Sequence, residues 1–382
     1  MHAATTRDPQ YTQPPKALYL ALELSSRTWK LGMTIGFGQK ARERDLSAGD
    51  LTGLHEEISQ AKKRFGLNRS APVHCCYEAG RDGFWIHRAL LALGVDNVVV
   101  DPSSIEVPRR KRRAKTDRLD VHKLLKLLMR YHLGEPKVWS VVRVPSVEDE
   151  DNRHLHRELI ALKHERTRHL NRIKGLLASA GVFLKLRRRT LREQLEQVRL
   201  WDGSHLAPAL HCRILRENER LECLQRQIVE LEGDRAECLR ECNSPAVAKA
   251  RKLYELRGVG ANGAWLLAME FFSWRDLRNR RQVGALAGLT ATPHASGDQS
   301  REQGISKAGN RYVRSLAIEM AWAWLRFQPR SQLSQWYQER FGGGGSRPRR
   351  IGIVALARKL LIALWRWCEQ GLLPEGAQMR AT

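Results

Sequence analysis

Short apolar runs alternate with helical patterns over the first third of the chain. From Leu51 to Phe65 apolar residues recur at helical spacing, and a second helical pattern, DGFWIHRALLALG, ends at Gly94. Strand-like apolar runs surround them: ALYLALEL, TWKLGMTIG, VHCCYEAG and VDNVVVDP. Because strands that alternate with helices form layered folds, the pattern predicts a mixed α/β domain with a covered sheet over residues 17–145.

The middle of the chain has the pattern of long amphipathic helices. One pattern runs from Ser146 to Ala180, and a second runs from Ile214 to Cys238. Their apolar residues approximate heptads with charged flanks, which predicts an antiparallel coiled-coil arm or a dimer contact over residues 146–250. The basic piece between them, LKLRRRTLREQLEQVRLWDGSHLAP, is predicted to be a connector.

Residues 251–370 combine glycine-rich turns with apolar helices and predict a mostly α-helical domain. Gly258 and Gly260 lie in LRGVGA, which resembles a helix-hairpin-helix turn whose backbone N–H groups face a DNA phosphate. The stretch Gly284–Ala317 is rich in Gly, Ser and Arg, and it leads into the apolar helical pattern YVRSLAIEMAWAWL. Such a stretch predicts either a loop that holds a phosphodiester or a solvated basic loop.

The remaining segments complete the predicted organisation. FGGGGSRPRR is predicted to be a flexible basic loop that leads to a final amphipathic helix, IGIVALARKLLIALWRW. Residues 1–16 are polar, contain proline and predict a disordered tail, and residues 371–382 form a second tail. The fold class predicted from these patterns is α+β and multidomain.

Charge then narrows the class of partner. The chain has 382 residues, 66 of them basic and 41 acidic, for a formal net charge of +25. This excess predicts a polyanionic partner, above all nucleic acid. No uninterrupted apolar span reaches about 18 residues and the N-terminus lacks the apolar core of a signal peptide, so we expect no membrane and a cytoplasmic, nucleoid-associated protein. The seven cysteines form no CxxC pair, which indicates reduced thiols.

A basic cluster precedes one of the predicted helices, in the segment EVPRRKRRAKTDRLDVHKLL. A charge run is usually a solvated face, but this one adjoins two acids and a helix start for which Thr116 is a suitable cap. We therefore predict phosphate contacts for its members, which are Arg109, Arg110, Lys111, Arg112, Arg113 and Lys115.

Four carboxylates occupy positions suited to metal chemistry. Glu23 and Glu78 end predicted strands, and Asp117 and Asp120 lie three residues apart at a helix start, on one face. Each acid also has an ordinary structural explanation, such as a favourable charge at a helix N-terminus or a charge that keeps a sheet edge from pairing. Together they predict a site for two divalent ions about 3.5–4 Å apart, and hard oxygen ligands favour Mg²⁺ or Mn²⁺.

The order of motifs resembles a known family. A carboxylate strand (LALELSS) is followed by YEAG, KTDRLDVHKLL, a coiled-coil pattern, LRGVG and GLTATPHASGDQSREQGISKAGNRYVRSL. This order is similar to that of the bridge-RNA-guided DEDD/serine insertion-sequence transposases of the IS-one-ten and IS-eleven-eleven groups. The resemblance covers about residues 17 to 370. In the family pattern the first acid is usually Asp, and here Glu23 stands at that position.

The resemblance implies a fold and a mechanism. It implies an N-terminal RuvC-like domain of RNase H fold whose acid set falls on Glu23, Glu78, Asp117 and Asp120. It also implies a C-terminal transposase domain in which Ser296 attacks a DNA phosphate and forms a covalent phosphoserine link. A structured noncoding RNA is expected to select the element ends and the target DNA by base pairing. Homodimers and homotetramers are expected to pair the acids of one protomer with the serine of another.

Several alternatives stay open at this point. Ser296 is a weak nucleophile that needs activation, for which the metal ions can serve, and Tyr312 is the rival nucleophile. Ser-Gly is also a common pair in turns, so the alternative is that Ser296 only helps to form a turn. Two other activities fit the sequence, a metal-dependent junction nuclease that cuts with water and a non-catalytic nucleic-acid-binding protein. Phosphate binding in the C-terminal domain is assigned to Arg301, Lys307, Arg311 and Arg314.

Overall fold

The chain folds into two compact units, Met1–Val144 and Pro145–Thr382. A computed structural model describes residues 16–81, 83–105, 117–135, 137–187, 190–296 and 299–380, with backbone alone for residues 117–118 and 293–303. The N-terminal tail and the predicted phosphate contacts at Arg109, Arg110, Lys111, Arg112, Arg113 and Lys115 lie outside the described residues.

Unit 1 contains a five-stranded mixed sheet. Its strands are β1 (Leu18–Leu24), β2 (Thr28–Thr34), β3 (Arg42–Ser47), β4 (Val73–Glu78) and β5 (Asp96–Val100), and its helices are α1 (Leu51–Arg64), α2 (Trp85–Ala92) and α3 (Asp117–His132). The spatial order is β3-β2-β1-β4-β5. The first three strands pair antiparallel, whereas β1, β4 and β5 pair parallel. The predicted alternation of strands and helices is confirmed, apart from β3.

Helices cover both faces of this sheet. Leu20 and Leu22 of β1 pack into the core beneath α1 and α2, while Ala21 between them packs against α3. Successive strand residues point to opposite faces, so the uninterrupted apolar run of β1 follows from burial on both sides. A Cβ atom at Gly32 of β2 would overlap Val121 of α3, so glycine is needed there for α3 to lie close to the sheet.

The third strand was not predicted because it is charged. Its sequence RERDLS lies at the edge of the sheet, where most of its side chains are exposed or half-buried. Charged residues are common on edge strands, since they discourage pairing with other chains. Arg42 is the buried exception, and its guanidinium binds the Glu57 carboxylate of α1.

Unit 2 is mostly helical. Its helices are α4 (Val147–Asp151), α5 (His154–Ser179), α6 (Leu191–Glu196), α7 (Pro208–Glu241), α8 (Pro245–Tyr254), α9 (Ala261–Leu267), α10 (Arg280–Leu286), α11 (Arg311–Phe327), α12 (Gln332–Tyr337) and α13 (Ser346–Gln370), with π-helical turns at Ala268–Phe272 and Gln338–Gly342 and a hairpin of β6 (Ala291–Ser296) and β7 (Gln299–Ile305). Its main core joins the elements from α8 to α13 around the buried Trp324. The α+β class is therefore confirmed.

The single long helix predicted from Ser146 to Ala180 is wrong. Ser146 and Asp149 form a capping box, and the short α4 ends at Asp151. The chain then turns, and the largely buried Arg153 donates a hydrogen bond to the Asp149 carbonyl and lies 5.1 Å from the Trp274 ring centroid. Packing of this guanidinium on an aromatic face favours the turn over a continuous helix.

Helices α5 and α7 lie side by side in opposite directions. Lys163 binds Glu232 at 2.7 Å and Arg172 binds Glu217 at 3.0 Å, so positions advance along α5 as they recede along α7. A coiled-coil geometry for this pair stays a prediction. The connector between them is more than a linker, because α6 and both neighbouring helices share a small apolar core.

Two further predictions about the C-terminal segments are wrong. The Gly284–Ala317 stretch contains the β6–β7 hairpin and is not a loop throughout. In FGGGGSRPRR the last five residues already belong to α13, since Pro348 near the start of a helix removes only an N–H group that has no partner within the helix. In the part of the chain that the structure describes, we find no helix with the length and apolar content needed to span a membrane.

Candidate functional site

Two of the predicted acids meet at the carboxyl ends of neighbouring strands. Leu22 of β1 pairs in parallel with Tyr77 of β4, so the next residues, Glu23 and Glu78, are level with each other. Both carboxylates belong to the sheet face covered by α3, because they alternate with the residues that face α1 and α2. They line one open cavity of about 400 Å³, together with Ser25, Ser26, Arg81 and nearby backbone.

Helix α3 runs antiparallel to β4 across this face. Its last residue, His132, stacks on His74 near the start of β4, with ring centroids 3.8 Å apart. Half-way along the helix, the Leu124 carbonyl lies 3.9 Å from the Cys76 sulfur. The N-terminal turn of α3 therefore lies toward the carboxyl ends of β1 and β4.

The spacing along helix and strand brings Asp120 to the level of Glu78. From Leu124 back to Asp120 the helix covers about 6 Å at about 1.5 Å per residue. From Cys76 on to Glu78 the strand covers about 6.6 Å at about 3.3 Å per residue. Asp117 is the first residue of α3, just under one turn further on. Three elements thus carry the four predicted acids to one end of the sheet, but the ligand atoms of the described carboxylates Glu23, Glu78 and Asp120 do not all lie within 4.8 Å of one another.

The thiol beneath these acids is held neutral. Burial, the neighbouring Cys75 and the charge of Glu78 raise the pKa of Cys76 well above its ordinary value of 9.0. Cys76 packs against α3 in the apolar core on this face of the sheet. All seven cysteines of the chain are free.

A second cluster of ligand types lies at the opposite end of the sheet. Ligand atoms of His74, Asp96 and His132 all lie within 4.8 Å of one another, and among the described residues no other group of three or more His, Cys, Asp or Glu residues is so placed. His74 Nδ1 lies 2.8 Å from Asp96 Oδ2. Burial and the adjacent His74 lower the pKa of His132. The hydrogen bond and the ring stacking account for these short distances.

Ser296 ends the first strand of the β6–β7 hairpin. Its backbone pairs with Gln299, while Ala291 pairs with Ile305 at the other end. Ser296 is therefore at the tip, and Arg301, paired with His294, is further along the second strand. The structure does not describe Gly297 or the side chains of Ser296 and Arg301.

The base of the hairpin is packed tightly against its own domain. A Cβ atom at Gly309, where φ is +119°, would overlap the Leu286 carbonyl, and one at Gly288, where φ is +67°, would lie 2.5 Å from the Ala308 carbonyl. Both positions require glycine for two reasons: φ is positive, and there is no space for a Cβ atom. These two glycines therefore allow a close approach of protein backbone to protein backbone.

The predicted phosphate-binding residues near the hairpin differ in their contacts. Arg314 is half-buried, and its Nη1 donates to the Lys307 carbonyl at 2.8 Å, so it holds the backbone that follows β7. Lys307 and Arg311 are exposed. The Arg311 guanidinium lies 5.0 Å from the ring centroid of Tyr312, the rival nucleophile. Tyr312 thus packs between cations, with Arg157 at 5.8 Å.

The LRGVG turn is shaped by its packing on α11. Gly258 has φ of +88°, and a Cβ atom there would lie 3.2 Å from Phe327 Cβ. Val259 is fully buried, and Gly260 is exposed at the start of α9. Phosphate binding by this turn stays a prediction.

A buried carboxylate that was not predicted joins three elements of unit 2. Glu270, which is 1% exposed, lies in the π-helical turn and accepts hydrogen bonds from Arg157 Nε at 2.5 Å and Asn310 Nδ2 at 3.0 Å, with His156 Nε2 at 2.9 Å. Asn310 also caps α11 through Tyr312 and its neighbour. The sequence signal for this cluster is a single acid inside the apolar run AWLLAMEFF. A charge that is buried among apolar residues needs hydrogen-bonding or oppositely charged partners.

The pKa of Glu270 is lowered from 4.5 to about 2. Burial alone would raise it, but the hydrogen bonds from His156 and Arg157 and the charge of Arg157 outweigh burial. Because the folded pKa lies below the ordinary value, the stability it contributes is fully present above pH 4.5 and is lost as the pH falls through about 2.

Glu270→Gln is expected to lower the free energy of unfolding of unit 2 by about 2 kcal/mol near pH 7, because Arg157 and Asn310 lose a charged partner. Urea unfolding of the full chain at several pH values measures this. The exposed Glu319→Gln on α11 is the matched control and should change little. The difference between wild type and Glu270→Gln should shrink between pH 4.5 and 2, and a gap that is independent of pH would contradict the ion pair.

Comparison with known proteins gives consistent matches. Residues 250–336, which include the hairpin, match the family model described as "Transposase IS116/IS110/IS902 family". The chain is 42% identical over 379 residues to "Putative transposase y4rJ" of Sinorhizobium fredii, an alignment that covers 95% of each protein. It is 27% identical over 247 residues to "Transposase for insertion sequence element IS1111A" of Coxiella burnetii, covering 63% of this chain and 62% of that protein. It is 26% identical over 317 residues to "Transposase for insertion sequence element IS1533" of Leptospira borgpetersenii, an alignment that covers 76% of this chain and 80% of that protein.

Proposed function

The chain belongs to the IS116/IS110/IS902 family of DNA transposases, and from this premise we propose that it cleaves and exchanges DNA strands through a covalent phosphoserine bond at Ser296. The observation that carries the proposal is that Glu23 and Glu78 line one cavity at the carboxyl ends of β1 and β4, the end of the sheet toward which the first turn of α3 lies. The position of Ser296 at the tip of a hairpin inside the matched region supports its role as nucleophile. An RNase H-like fold for unit 1 is part of the proposal and agrees with the mixed sheet and its order.

The chemical type of the donors suits a divalent metal ion. The half-buried Glu23, Glu78 and Asp120 offer carboxylate oxygens, which suit Mg²⁺ or Mn²⁺, and Asp117 begins the same helix as Asp120. Bound at such a site, divalent ions lower the pKa of a nucleophile and stabilise the leaving oxygen of phosphoryl transfer. The chain's own part is to hold the acids on rigid strands and a helix.

The covalent step exchanges one phosphate ester for another. The Ser296 oxygen bonds to the phosphorus of a DNA phosphodiester, the bond to one DNA oxygen breaks, and the serine proton leaves so that this oxygen departs as a hydroxyl. Attack of a second DNA hydroxyl on the phosphoserine reverses the step and restores the serine. Because the number of phosphate esters is unchanged, strands are exchanged without an external energy source. Arg301, near the hairpin tip, is proposed to bind the charge of the reacting phosphate, and the exposed Lys307 and Arg311, beyond the hairpin base, are proposed to bind other DNA phosphates.

A structured guide RNA and a homodimer or homotetramer complete the proposal. Support comes from the motif order of the family and from the net charge of +25, which suits a chain that binds DNA and RNA together. In an oligomer, the acids of one protomer would act with the Ser296 of another.

A covalent-adduct assay tests the proposal. Full-length protein with its co-purified RNA is incubated with labelled DNA that carries the element ends and Mg²⁺, then quenched in detergent. We expect a protease-sensitive protein–DNA adduct, its loss with EDTA, and its loss when the RNA is removed. Cleaved DNA with free ends and no adduct would instead support a metal-dependent junction nuclease, the alternative that the acidic cluster by itself favours.

A further inference from the structure

A basic groove with an apolar floor lies beside the base of the hairpin in unit 2. It encloses a cavity of about 880 Å³ between α10, the hairpin and α13. Its basic lining residues are Arg280, Arg281, Lys307, Arg347, Arg350, Arg358 and Lys359. Its lining contains no Asp or Glu among the side chains that the structure describes. We propose that this groove binds a single strand of DNA, with phosphates on the basic rim and bases on the floor; the choice of DNA over RNA rests on the proposed function.

The rim has the charge for a phosphate backbone. Lys307, Arg347 and Arg350 are exposed, and none of the seven basic residues forms an ion pair with an acid whose side chain is described. The Arg358 side chain lies over Gly284, with its Nε 3.0 Å from the position that a Cβ atom there would occupy. Guanidinium groups bind phosphate oxygens with two parallel hydrogen bonds. A cluster of such groups without acids therefore fits a polyanion.

The floor distinguishes a single strand from a duplex. Ile351 is 57% exposed within the groove, and the half-buried Trp336 has the Lys359 ammonium 4.5 Å from its ring centroid. The rest of the apolar lining consists of Leu289, Ala291, Ile305, Val354, Ala355 and Ile362. Unpaired bases offer apolar faces that stack on such side chains, whereas the bases of a duplex are already stacked on one another. An apolar floor below a basic rim therefore fits an unpaired strand.

The hairpin connects this groove to the proposed nucleophile. Ala291 and Ile305 line the groove at the base, and Ser296 is five residues from Ala291 along the strand. At about 3.3 Å per residue the distance is about 17 Å. That is the length of about five stacked nucleotides at about 3.4 Å each. A strand released by cleavage at Ser296 could thus extend into the groove.

Fluorescence anisotropy of the full-length protein tests this proposal. The probes are labelled oligodeoxythymidylate, a DNA duplex of equal length and oligouridylate. Arg347→Glu/Arg350→Glu is compared with Arg326→Glu/Arg330→Glu, which changes the charge equally at exposed positions outside the groove. We expect the groove variant to weaken oligodeoxythymidylate binding at least tenfold more than the control. The slope of log affinity against log salt should fall by about 1.4, as for two lost phosphate contacts on a single strand.

A floor variant tests the base contacts separately. Ile351→Ser removes an exposed apolar contact, so the protein should stay folded while oligodeoxythymidylate binding weakens several-fold and duplex binding does not. Equal losses in groove and control variants would overturn the site. Equal losses for single strand and duplex would overturn the base contacts, and a larger loss for oligouridylate would make it an RNA site. Binding through the groove in a protein that forms no adduct would leave the groove standing and reject the proposed function.

Discussion

Ser296→Ala is expected to abolish both the covalent protein–DNA adduct and strand exchange, with a loss of at least about 10³-fold, as for other nucleophile deletions. The change removes only the hydroxyl oxygen that would bond to phosphorus. Since Ser296 is at the hairpin tip and not in the packed base, unfolding should be little affected. The measurement is adduct yield and recombinant product from element-end DNA, with urea unfolding alongside.

Two variants serve as controls for the serine assignment. Ser300→Ala lies in β7 of the same hairpin, opposite Ala295, and should keep activity. Tyr312→Phe removes the rival nucleophile, whose ring packs beside Arg311 and Arg157, and should also keep the adduct. Wild-type recombination by Ser296→Ala would reject the assignment. Loss of the adduct only in Tyr312→Phe would transfer the role to the tyrosine.

Asp120→Asn and Glu78→Gln are each expected to lower cleavage by more than about 100-fold. Changes to groups that merely support metal ligands often cost 10–100-fold, so a direct ligand should cost more. The amides keep the shape of the carboxylates and remove the charge. Asp45→Asn on β3, whose exposed carboxylate binds Lys30, is the matched control and should have nearly wild-type activity.

Metal binding provides a readout that is independent of catalysis. Titration of Mn²⁺ followed by electron paramagnetic resonance should show weaker binding in Asp120→Asn and Glu78→Gln and unchanged binding in Asp45→Asn. The same three variants should bind DNA as tightly as wild type at equal salt. Full activity in both acid variants would mean that the metal site is misplaced.

The family was predictable because its signature lies in short motifs. KTDRLD and the segment from Ala295 to Arg314 could be read directly, and the family assignment agrees with the matched region and the aligned relatives. The acids at Glu23 and Glu78 could be predicted to lie at strand ends because apolar runs stop there. The sequence does not show that these two acids are level with each other, because that depends on the parallel register of β1 with β4.

Other features could not be read from local patterns. The edge strand β3 carries charge because its side chains are largely exposed, so it lacks the apolar alternation of a buried strand. The β6–β7 hairpin is rich in small polar residues that are also typical of loops. Glu270 is one acid in an apolar run, and its partners Arg157 and Asn310 are more than a hundred and forty residues apart.

The sequence by itself determined the α+β class, the family, the basic character and which acids and serine are candidates. These follow from periodicity, charge and residue type, which are local properties of the chain. Only the tertiary structure decided that α3 runs antiparallel to β4, so that Asp120 reaches the level of Glu78. It also decided that Arg314 holds backbone while Lys307 faces a groove shared with α13. The physical reason is that such contacts join residues distant in sequence, and packing between helices and strands selects them.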